Sequence, residues 1–170
     1  SHIAILMENQ PGALSRVVGL FSQRGYNIDS LSVAPTQDPT LSRLTMTTSE
    51  NPEIINQILR QLYKLVDVVM VQNLSDAEAY SIELAIIKLV SSREKIEKII
   101  SQAKELEGKI LDDKDDHIMF EIWGDSTDID ALLASLKEEE FLEVTRSGLL
   151  GMTKGNVALN TNDQTKISYD

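Results

Sequence analysis

The chain has 170 residues and a formal net charge of -11, with 27 acidic side chains against 16 Lys and Arg. That length allows one domain or two small ones, and the charge repels phosphate backbones and acidic lipid heads, which argues against nucleic acid and membrane surfaces as partners. Cysteine is absent, so there is no disulfide, thiol nucleophile or thiolate metal site. With no apolar run of membrane-spanning length and no secretory leader pattern, a cytoplasmic protein is expected.

In chain order, I-A-I-L-M (3–7) is predicted as a central strand, because it is apolar on both faces. The polar turn E-N-Q-P-G (8–12) leads into a helix carrying Leu14, Val17, Val18, Leu20 and Phe21, with Gly25 as its stop. Residues 26–36 and 41–48 alternate as two strands around the turn Q-D-P-T. Asn51, Pro52 and Glu53 open a second helix, by a capping side chain, a pre-set first residue and an acid in the positive first turn. V-D-V-V-M-V (66–71) closes a β-α-β-β-α-β order.

The same order recurs in the second half. A strand at 82–90 precedes a helix whose start reads as a capping box from Ser91 and Glu94. Strands at 108–112 and 117–123 flank the acidic turn D-D-K-D-D, Asp125 or Ser126 caps a fourth helix, and 141–150 is the closing strand. The expected fold is α+β: two ferredoxin-like βαββαβ units in tandem, with domains at 1–75 and 78–152 and a polar, unstructured tail at 153–170.

No catalytic constellation is legible. His2 and His117 have no partner at metal-ligand spacing, and D-D-K-D-D (112–116) lacks the central Gly and closing Glu of a calcium loop. The turn at Pro11 and Gly12 is the one candidate. Backbone N–H groups of Gly12, Ala13 and Leu14 at a helix start suit a carboxylate, and Gly12 permits close approach. Asn9 and Asn27 offer amide oxygens for an ammonium, and Leu14, Ile28 and Val33 an aliphatic wall. Such a set fits a small apolar α-amino acid; the same residues also fit a turn that binds nothing. An acylphosphatase would want an Arg in the first loop, which has none before Arg16, and an RNA module would want exposed aromatics and a basic sheet.

The blocks G-L-F-S-Q-R-G-Y-N-I and V-A-P-T-Q-D-P-T-L-S-R, within residues 8–43, resemble the N-terminal signature of the small, regulatory subunit of acetohydroxyacid (acetolactate) synthase. L-V-D-V (65–68) and R-S-G-L-L-G (146–151) agree with it, and the resemblance extends over about residues 3–153, more loosely in the second half. It implies an ACT domain at 1–75 that forms a homodimer and binds valine, leucine or isoleucine between two chains, at positions matching Asn9, Gly12, Ala13, Leu14, Asn27 and Ile28. It also implies a catalytic large subunit as partner, activated by this chain and made sensitive to feedback inhibition. Thiamine diphosphate, Mg²⁺ and FAD belong to that partner, with no cofactor on this chain. An ACT-type sensor serving a different amino-acid enzyme is the alternative.

Overall fold

Two antiparallel sheets, each with a pair of helices packed on one face, organise the molecule. The computed structural model describes residues 1–136 and 140–159. The first sheet has the order β2-β3-β1-β4, from β1 (His2–Glu8), β2 (Ser30–Pro35), β3 (Leu41–Thr47) and β4 (Val68–Asn73). Helices α1 (Ala13–Arg24) and α2 (Pro52–Leu62) cover it. The second has five strands, in the order β6-β7-β5-β8 from β5 (Ala79–Val90), β6 (Lys109–Asp113), β7 (His117–Gly124) and β8 (Glu140–Arg146), with a further strand near the C-terminus also pairing β5, and with helices α3 (Arg93–Glu105) and α4 (Ser126–Ser135). The chain therefore runs twice through βαββαβ, the fold expected from its periodicity. No helix among the described residues is long and apolar enough to cross a membrane.

The chain divides into two compact units, one formed by Ser1–Tyr80 with the segment that begins at Leu149, the other by Ser81–Gly148. Each has its own core. In the first, Ile3, Ile5 and Met7 of β1 meet Val17, Leu20 and Phe21 of α1 and Ile55, Ile58, Leu59 and Leu62 of α2. Ala4 and Leu6 face the other way yet are also buried. On that side Arg43, opposite Leu6 in the ladder, donates to the Gly151 carbonyl at 2.7 Å, so β9 (Leu150–Thr153) lies over the sheet. This explains why β1 is apolar on both faces. In the second unit Ala85, Ile87 and Leu89 pack with Ile96, Ile99, Phe120, Ile122 and Ile129.

Three details depart from the sequence reading. The strand expected at 141–150 is two, β8 and β9, because Gly148 has φ 74 and turns the chain out of the pleat. The capping box expected from Ser91 and Glu94 does not form: Ser91 donates its N–H to the Asp116 carbonyl and stays with the sheet, and Ser92 is the N-cap, without a side-chain cap bond and with Glu94 only two residues on. The tail is not uniformly without structure, since Thr153 ends β9 and its Oγ1 donates to the Val157 carbonyl; its residues 160–170 lie outside those described. The other three caps follow expectation. Asn51 accepts from the Ile54 N–H, Asp125 accepts from the Thr127 N–H, and Gly25 (φ 68) ends α1 by donating to Phe21 and Ser22 carbonyls.

Candidate functional site

The turn between β1 and α1 is tied down at its start. Glu8 donates its N–H to the Asp67 carbonyl at 2.8 Å, Asn9 donates its N–H to the Thr40 carbonyl at 2.7 Å, and Asn9 Nδ2 donates to the Pro39 carbonyl at 3.0 Å. That last bond uses the donor end of the Asn9 amide and leaves its oxygen as an acceptor. Gly12 then takes φ 88, a left-handed conformation that favours glycine, and becomes the N-cap of α1 without a capping side chain. Of the three N–H groups expected to be open, Ala13 is engaged, donating to the Gln10 carbonyl at 3.2 Å. Those of Gly12 and Leu14 donate to no backbone carbonyl among the described residues. They lie at the positive end of the helix dipole.

Arg16 adds a charge that the sequence reading passed over. Its Nε and Nη2 grip the two carboxylate oxygens of Asp67, the latter at 2.8 Å, while a Cβ placed on Gly12 would come within 2.9 Å of Nη1. The guanidinium is thus held over Gly12, and the absence of a side chain there makes the room. Asp67 is almost inaccessible, and the hydrogen bonds from Arg16 hold its carboxyl below the usual range against the opposing effect of burial. Asp67 lies in the turn just before β4, one residue earlier than the strand, rather than inside the strand expected at 66–71.

Asn27 and Ile28 sit elsewhere. Asn27 Nδ2 donates to Asp29 Oδ1 at 2.7 Å, its N–H donates to Glu50 Oε1 and its carbonyl accepts from Thr48 Oγ1. Again the side-chain oxygen remains as the acceptor. Ile28 packs against the first core, as does Leu14, whereas Val33 on the edge strand β2 is exposed. Asp29 bonds Thr47, which pairs with His2 at the start of β1, while Asn9 follows the end of β1. Six steps along a strand span about 20 Å. One chain therefore groups Asn9, Gly12, Ala13 and Leu14 at one end of the sheet and Asn27 and Ile28 at the other.

Two further charged clusters lie in the second unit. Glu83 is buried and accepts from Arg146 Nε and Nη2 at 2.9 and 2.8 Å and from Ser126 Oγ at 2.8 Å. Burial alone would raise its pKa, but the bonds from Arg146 and Ser126 outweigh that and lower it. His117 lies between Asp116 (2.7 Å) and Asp112 (3.2 Å), whose hydrogen bonds raise its pKa. Both clusters join sheet to neighbouring turn or helix.

Comparison with known proteins covers both units. Residues 3–70 match the family model described as an AHAS small subunit-like ACT domain, and residues 82–155 match that of the small subunit of acetolactate synthase. The acetolactate synthase isozyme 3 small subunit of Salmonella typhimurium is 43% identical over 155 residues, covering 91% of this chain and 95% of that protein. The acetolactate synthase small subunit of Haemophilus influenzae is 44% identical over 157 residues, covering 90% and 94%. Among solved structures, the acetolactate synthase small subunit from Thermotoga maritima superposes with a TM-score of 0.80 at 32% identity, covering 92% of this chain and 98% of that one.

Proposed function

Because this chain belongs to the acetolactate synthase small-subunit family, we propose that it is a non-catalytic regulatory subunit, which activates a catalytic large subunit and makes it sensitive to feedback inhibition by valine, leucine or isoleucine. The effector is held by the domain at residues 1–75, between two copies of the chain. The carboxylate lies on the open N–H groups at Gly12 and Leu14, the ammonium meets the side-chain oxygens of Asn9 and Asn27, and Leu14 and Ile28 bound the aliphatic group. Thiamine diphosphate, Mg²⁺ and FAD work on the catalytic chain. Regulation asks little energy of such a site: a coupling of about 1–3 kcal/mol between effector and partner is typical.

The observation that carries this reading is the pair of complementary half-sites. An open helix N-terminus stands at one end of the unit, and an acceptor oxygen beside a partly buried isoleucine at the other. Neither half alone surrounds an amino acid, and β2 offers an edge without a partner strand among the described residues along which a second copy can align. The deciding experiment is reconstitution with the catalytic subunit of the same organism. Acetolactate formation should rise on adding this chain and fall again with millimolar valine. If neither change occurs, the reading fails; if the chain binds valine yet leaves that enzyme unaffected, it serves a different amino-acid enzyme.

A further inference from the structure

We propose that the groove between α1 and α2 is a second ligand site, which adjoins the amino-acid site at Gly12 and Arg16, and that it takes a compact polyanion: a small molecule bearing two or more phosphate or carboxylate groups. The groove, which is open to solvent, offers about 480 Å³ within the first unit, a volume that accommodates an ordinary metabolite. Three of its lining side chains are cationic, Arg16, Arg24 and Lys64, and none is acidic. That is unusual in a chain with 27 acids and 16 bases, where a groove of average composition would hold more carboxylates than cations.

The cations are set for a ligand. Arg24 is fixed across the groove, donating from Nη2 to Gln61 Oε1 on α2 and from Nη1 to the Leu20 carbonyl, both at 3.3 Å. Arg16 is clamped by Asp67 on one edge only. Lys64 is exposed and forms no ion pair with a carboxylate among the described residues. The floor is open as well: Gly19 lies inside α1, where glycine costs about 1 kcal/mol against alanine, and a Cβ built there meets nothing within 4 Å. Two cations without an ion pair among the described residues, Arg24 and Lys64, beside Arg16 with its free Nη1, stand over a bare helix turn and favour a multiply charged, compact anion, because each oxygen can take a charge-assisted hydrogen bond.

The full chain is titrated by calorimetry at fixed ionic strength with pyrophosphate and, separately, with citrate. Saturable binding of at least one probe is expected, and the tighter of the two tells whether the site prefers phosphate or carboxylate. Lys64→Glu, an exposed change that leaves the core alone, should weaken that binding by tenfold or more, and Arg24→Gln should weaken it several-fold. Absence of saturable binding by both probes, or unchanged affinity in folded Lys64→Glu, overturns the proposal. Valine, leucine and isoleucine titrated in parallel separate the two sites. Pyrophosphate binding without binding of valine, leucine or isoleucine keeps this groove and removes the effector reading, and binding of one of these amino acids with neither polyanion does the reverse.

Discussion

Asp67 and Glu83 are the two buried acids of the described chain, and each is kept charged by a two-pronged arginine rather than by water. Their folded pKa values lie below the ordinary 3.8 and 4.5. A group depressed in this way contributes stability at all pH above its unfolded value and loses it as pH falls through the folded one. Through these two groups denaturant midpoints should fall steeply below about pH 5, while His117, whose folded pKa is raised, adds stability that is lost as pH rises through and above its ordinary 6.5. Glu83→Gln should lower the midpoint at neutral pH and flatten the acid limb together, because it leaves Arg146 without its buried partner. Midpoints measured from pH 3 to 8 check this; an acid limb of unchanged slope in Glu83→Gln would mean that other carboxyls govern it. Neither pairing was visible in the sequence. Arg16 and Asp67 are 51 positions apart, Glu83 and Arg146 are 63, and charge pairs at such separations leave no periodic trace.

At the scale of elements, local chemistry determined most starts and stops. Asn51-Pro52-Glu53 and Gly25 act where capping physics puts them, since each signal is complete within four residues. Breaks that depend on tertiary partners were not legible. Ser91, with Glu94 three residues on, reads as the N-cap until the Asp116 carbonyl claims its N–H, and the segment through Gly148 reads as one strand until the chain turns there. Gly108 is a stronger constraint than its sequence context suggests. A Cβ there would lie 2.5 Å from the Ala103 carbonyl oxygen and 2.9 Å from that of Glu121, backbone atoms on either side that cannot rotate away. Gly108→Ala should thus cost about 1–3 kcal/mol, the usual range for forced overpacking, and separate the end of α3 from β7. Equilibrium unfolding of the variant tests it, with Gly19→Ala, where a Cβ meets nothing within 4 Å and φ is not positive, as the control for a glycine in open space.

For the whole molecule, the question is how many chains build one effector site. The six candidate residues could be picked out of the sequence, but their separation into two groups could not, because it follows from strand order and direction. Helix α1 begins beside Gly12 and ends one residue before Gly25, so its twelve residues hold the two groups about 18 Å apart. An amino acid cannot bridge that distance within one chain. In a two-fold dimer each site would combine the Gly12 loop of one copy with Asn27 and Ile28 of the other, giving two equivalent sites. Gly12→Asp places a carboxylate where the effector's belongs and beside Arg16 Nη1, so its homodimer should bind no valine. Asn27→Ala should weaken both sites of its homodimer by about 1–3 kcal/mol, the cost of an under-bonded charge. Mixed and allowed to exchange, the two variants form heterodimers in which one site carries both defects and the other carries neither. Half of all dimers would then hold one intact site, so valine sites of full affinity should return to about a quarter of the wild-type number. If the Gly12 loop and Asn27 of the same chain formed the site, mixing would restore none, since every site would keep one defect. Calorimetry of the mixture before and after exchange distinguishes the two arrangements without a structure of the complex.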